Sequence, residues 1–104
     1  MSIVEINKLI KKEFRFLLFR GYLRKKYNST EIIYFKINKM IEIYVSNNNI
    51  NVIIRNKNIR TNLFDSQLFN SSELNQLKSN FNSTDSVSAK IHLISHFLQK
   101  QKII

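Results

Sequence analysis

Three observations place this chain in the α+β class: apolar residues at helical spacing before residue 20, two-residue alternation across residues 31–63, and helical spacing again after residue 70. The expected architecture is an N-terminal helix, an antiparallel meander of three or four strands, and two C-terminal helices packed on one sheet face. The 104 residues are read as a single domain, 1–104.

Residues 3–19 carry Ile3, Ile6, Ile10, Phe14, Leu17 and Leu18 on one helical side, with Lys8, Lys11, Lys12 and Arg15 on the other. Gly21, the one glycine, follows as a helix stop.

Strands come next. Ile33, Phe35 and Ile37, then Ile41, Ile43 and Val45, then Ile50, Val52 and Ile54 alternate with polar residues. A loop of Asn38, Lys39 and Met40 would pair Phe35 with Ile43. It would also set Lys36 opposite Glu42 and Tyr34 opposite Tyr44, both favourable cross-strand pairs. A second turn at Asn47-Asn48 pairs Val45 with Ile50 and Ile43 with Val52, since asparagine tolerates the positive φ of a tight hairpin. A third turn, Asn56-Lys57, would pair Ile54 with Ile59 and Val52 with Thr61 in a short edge strand. Helices are then expected over the face made by Ile33, Phe35, Ile41, Ile43, Val45, Val52 and Ile54. The opposite face would show Tyr34, Lys36, Met40, Glu42, Tyr44, Ile53 and Arg55.

Asn70 caps the next helix, with Glu73 three residues on and Leu74, Leu77 and Phe81 as its apolar stripe. Residues 82–85 form a loop in which Asp85 serves as the next cap. Val87, Ile91, Ile94 and Leu98 are the stripe of the last helix.

Composition narrows the chemistry. The chain has no cysteine, so disulfides, thiolate nucleophiles and Cys-ligated metals drop out. The only histidines, His92 and His96, share one helical face, a spacing that suits two metal ligands. Leu-Ile-Ser lies between them, however, and the nearest acid in sequence is Asp85, so no metal site and no cofactor is expected. The seven acidic residues stand singly, and one glycine cannot build a phosphate loop. A non-enzymatic protein is expected. Residues 1–12 lack an apolar h-region and no apolar run is long enough to span a bilayer, so no membrane span is expected and a cytoplasmic location is.

The formal net charge is +10. Residues 1–60 hold 13 basic and 4 acidic residues; the remainder holds 4 and 3. An acidic partner follows: nucleic acid, anionic lipid or an acidic protein surface. Arg20, Arg24, Lys25 and Lys26, with Tyr22 and Tyr27 among them, combine cations for phosphates with aromatics for bases. The signatures of the RNA-recognition and KH modules are missing. Protein interfaces favour Tyr, Met and Arg at their centres. The open sheet face offers Tyr34, Met40, Tyr44, Ile53 and Arg55 for that role; the segment after the first helix offers Arg20, Tyr22, Arg24 and Tyr27.

A leading helix with Phe14-x-Phe16-Leu17 and Gly21-Tyr22, running into Ile-x-Ile strands and then two helices, resembles the small immunity proteins encoded beside bacterial polymorphic toxins, including those of contact-dependent inhibition. The resemblance covers roughly residues 3–60 and lies in hydrophobic types. It implies a cytoplasmic, non-enzymatic toxin inhibitor that acts by protein–protein interaction. Such a protein binds its cognate toxin and blocks the active site or an adjacent surface. It carries over no binding residues. Immunity proteins against nucleases are often acidic, whereas this chain is strongly basic, so its toxin is expected to present an acidic surface. A small basic nucleic-acid-binding protein is the alternative.

Overall fold

The computed structural model describes residues 1–46 and 48–104. The elements are α1 (Ile3–Glu13), α2 (Arg15–Phe19), β1 (Leu23–Asn28), β2 (Glu31–Lys36), β3 (Lys39–Ser46), β4 (Asn49–Asn56), β5 (Ile59–Asn62), a 3₁₀ turn (Leu63–Asp65), α3 (Ser71–Asn82) and α4 (Val87–Gln99). The fold is α+β, as expected, and the described residues form one antiparallel sheet in the order β1-β2-β3-β4-β5.

The N-terminal helical region begins at a reciprocal capping box between Ser2 and Glu5. It breaks at Phe14 because of a contact distant in sequence. The Glu13 carbonyl accepts the Ser95 hydroxyl at 2.7 Å, and the Leu17 amide turns to Phe14 instead. The region ends in a Schellman motif: the Tyr22 amide reaches Leu17 O, the Gly21 amide reaches Leu18 O, and Gly21 takes φ +92°.

Strand β1 was not anticipated. Its sequence, LRKKYN, has no apolar alternation because the strand is largely exposed at the sheet edge. The β3–β4 hairpin pairs Val45 with Ile50 and Ile43 with Val52, as expected; Asn47 of its turn lies outside the described residues.

The β2–β3 register differs from expectation. Tyr34 pairs with Ile41, Phe35 with Met40, and Lys36 with Lys39, across a turn of Ile37 and Asn38. Asn38 takes φ 63°, and Ile37 projects from the turn with 89% of its surface exposed. The register turns β2 over. Ile32 and Tyr34 enter the core, while Ile33 and Phe35 face the open side. Two adjacent lysines would disfavour this pairing on a bare sheet. Here their ammonium groups diverge. Lys36 donates to Arg20 O at 3.1 Å and sits over the Tyr22 ring, while Lys39 donates to Ile103 O.

The β4–β5 turn also moves, to Lys57-Asn58, which pairs Asn56 with Ile59 and Ile54 with Thr61. The shift is by two residues, so the faces are kept. The Lys57 amide donates to Asn38 O at 2.7 Å, locking the two turns together at one end of the sheet.

Helix α3 is capped by Asn70, whose side chain accepts the Glu73 amide. Helix α4 is capped by Ser86, not Asp85: the Ser86 hydroxyl accepts the Ala89 amide. Helix α4 packs against α1, α3 and β4, and places Ile91, Ile94 and Leu98 in the core. They meet Ile6, Ile10, Phe14 and Leu17 from the N-terminal helices and Ile32, Tyr34, Ile41, Ile43, Val52 and Ile54 from the sheet. Burying such a side chain stabilises by about 1.5–3 kcal/mol before entropy is counted.

Candidate functional site

The helices cover one side of the sheet, and the register fixes what stands on the other. One row across the five strands reads Leu23, Phe35, Met40, Arg55 and Arg60. The next reads Lys25, Ile33, Glu42, Ile53 and Asn62. Beyond them Glu31, Tyr44 and Asn51 make a shorter row. The face thus has an apolar centre of Phe35, Met40, Ile33 and Ile53. Leu23, 64% exposed, lies at one edge, and Arg55 and Arg60 lie toward the other.

Glu42 sits in the middle of this face and is only 5% exposed. A buried carboxylate is costly unless its oxygens are paired. Arg60 supplies a two-pronged partner: Nε lies 2.8 Å from Oε2 and Nη2 lies 3.0 Å from Oε1. The Tyr44 hydroxyl donates to Oε1 at 2.7 Å. Hydrogen bonding from Arg60 holds the Glu42 carboxyl below the usual carboxylate range against the opposing effect of burial. The same carboxylate pushes the Tyr44 phenol up by hydrogen bonding and the Arg60 guanidinium further up. The outcome is a flat, pre-ordered polar cluster beside apolar side chains.

The nine residues expected to contact a partner divide. Met40, Tyr44, Ile53 and Arg55 do share the open face. Tyr34 does not; the turned-over β2 places it in the core, fully buried and 6.1 Å from the Phe14 ring. Burial raises its phenol, and the Arg24 Nε donates to its oxygen at 3.2 Å. Tyr22 is also buried, 2% exposed, with its hydroxyl unpartnered among the described residues and its phenol raised by burial. Its position after Gly21 in the Schellman motif carries it inward, because that residue packs against the helix end.

Arg20 has a structural task. Its guanidinium donates to the main-chain oxygens of Leu98, Gln99, Gln101 and Ile104, and so caps the C-terminus of α4. Arg24 and Tyr27 belong to β1. Tyr27 is exposed, with the Lys25 ammonium 4.9 Å from its ring.

Sequence reading missed Leu23, Ile33, Phe35 and Arg60 as members of the face. The available signal was Asn38: asparagine accepts the positive φ that this turn takes at its second position.

A second basic feature lies at the sheet edge. Lys8 and Lys11 from α1 and Arg24 and Lys26 from β1 line one groove, and no acidic side chain lines it among the described residues. Asn7 closes its floor by donating to Ser29 O at 3.0 Å.

Among the described residues, no helix is long and apolar enough to cross a membrane. A scan against protein-family models and searches of the curated proteins and of the solved structures return no match to this chain.

Proposed function

We propose that the protein is a non-enzymatic binding module that captures an acidic protein partner on the open face of its sheet, in the manner of an immunity protein neutralising a cognate toxin. The carrying observation is the row Leu23, Phe35, Met40, Arg55 and Arg60, which sets apolar side chains directly beside two guanidinium groups. Aromatic, methionine and arginine side chains make interface centres, and those with fixed geometry lose little entropy on binding. The Glu42 cluster fixes Arg60 in advance. A net charge of +10 favours an acidic partner and speeds the encounter.

One observation favours a second reading. The groove lined by Lys8, Lys11, Arg24 and Lys26 is suited to a phosphate backbone, as in a nucleic-acid-binding protein. Lysines along an exposed edge strand also block strand-to-strand aggregation, which accounts for part of the charge.

Affinity capture from the source cells, with and without nuclease, separates the two. A stoichiometric protein partner that survives nuclease and about 0.5 M salt, where exposed charges are screened beyond about 4 Å, supports the sheet-face reading. Bound material that vanishes with nuclease supports the groove.

A further inference from the structure

We propose that Glu13, His92 and His96 form a binding site for one divalent transition-metal ion of the zinc class. Sequence spacing offers no third ligand, and no metal site is expected from it; the fold supplies the third ligand. His92 and His96 are one turn apart on α4, with ring centroids 3.9 Å apart. The end of α1 brings Glu13 to them, its Oε2 lying 3.6 Å from His92 Nδ1. One ligand atom from each of the three residues lies within 4.8 Å of the others.

The acid is held there by the main chain. Ser95, the residue before His96, is fully buried and donates its hydroxyl to Glu13 O at 2.7 Å. Gln99 Nε2 in turn donates to Ser95 Oγ at 3.1 Å. The break at Phe14 and the position of Glu13 therefore have one cause, and the main chain of Glu13 is anchored to the turn of α4 that bears the histidines.

A simple ion pair accounts for less of the arrangement. The His92 side chain is 57% exposed, and an exposed pair of this kind is worth about 0–1 kcal/mol. Helical spacing sets His96 beside His92, and the ion pair gives that second, tilted imidazole no task.

The donor set selects the ion. Two imidazole nitrogens and one carboxylate oxygen suit zinc, nickel, cobalt or copper, whereas magnesium and calcium demand oxygen donors. Ion-to-donor distances near 2.0–2.2 Å require donors about 3–3.5 Å apart, so the two exposed imidazoles swing inward by on the order of 1 Å. Three protein ligands leave at least one position for water or an incoming group. The site lies on the helical layer, across the sheet from Met40 and Arg55, so it stands or falls independently of the partner-binding proposal.

The test is calorimetric titration of the tag-free chain with zinc chloride, with cobalt chloride as an optical probe. The expected result is one ion per chain, tetrahedral or five-coordinate cobalt absorption bands, and affinity falling by at least about tenfold in Glu13→Gln and lost in His92→Ala/His96→Ala. Both histidines are exposed, so the double variant keeps its fold, which circular dichroism checks. Wild-type binding no tighter than that of the double variant overturns the proposal. So does binding that survives in the double variant with the same stoichiometry and the same cobalt spectrum.

Discussion

Arg60 on β5 grips Glu42 on β3 across the width of β4, with nitrogen–oxygen distances of 2.8 and 3.0 Å on two separate oxygens. This pair makes the open face a rigid surface, because it anchors the outermost strand to the centre of the sheet by side chains as well as by the β4–β5 ladder. Stability should therefore depend on pH in the acid range. The carboxyl of Glu42 is held below its usual value, so the folded state binds fewer protons than the unfolded one between those two values. The stabilisation is fully present above about pH 4.5 and is lost as pH falls through the depressed folded value. Urea unfolding at intervals from pH 6 to 3 should show wild type losing stability more steeply than Glu42→Gln. Parallel curves would contradict the account.

Positive-φ positions give two changes of opposite sign. Gly21 sits at φ +92° at the end of α2, so Gly21→Ala should cost about 1 kcal/mol even though the added methyl meets open space. Lys57 holds φ 57° in the β4–β5 turn, and Lys57→Gly should raise stability by about 0.5 kcal/mol, the relief of strain exceeding the extra chain entropy. Denaturant midpoints for the two variants should move apart from wild type in opposite directions.

Two buried tyrosines differ in what their hydroxyls find. Tyr34 accepts from Arg24, whereas the Tyr22 hydroxyl has no partner among the described residues. Tyr34→Phe should lose about 0.5–1.5 kcal/mol, and Tyr22→Phe should be neutral or gain up to about 1 kcal/mol. Equal losses in both would show that the Tyr22 hydroxyl is satisfied in solution.

Arg20 joins the end of α2 to the end of α4 through main-chain oxygens. Arg20→Ala should destabilise by about 1–3 kcal/mol, since these carbonyls then lack a charged donor. Folded Arg20→Ala should bind a partner as wild type does. Thermal unfolding and a binding assay at a temperature well below the midpoint separate the two effects.

The helices and the β3–β4 hairpin were legible because their patterns are local: apolar spacing sets the helix faces, and Val45, Ile50, Ile43 and Val52 agree on one register. Strand β1 was hidden because an exposed basic edge strand carries no alternation. The β2 register was hidden because it sets Lys36 against Lys39, a pair stabilised by Arg20 O, the Tyr22 ring and Ile103 O, all distant in sequence. That one register decided the candidate site. It removed Tyr34 from the open face and brought Phe35 and Ile33 to it. Glu13 could not be seen beside His92 for the same reason: the hydrogen bond from Ser95 that places it spans 82 positions.

The most direct test of the sheet-face proposal is affinity capture with three chains side by side: wild type, Met40→Asp/Arg55→Glu on the open face, and Lys8→Gln/Lys26→Gln in the basic groove. Each is first shown by circular dichroism to be folded. Wild type and the groove variant should retain the same stoichiometric protein after nuclease treatment and about 0.5 M salt, and the open-face variant should lose it. Retention by the open-face variant together with loss by the groove variant would contradict the proposal and assign binding to the edge of the sheet.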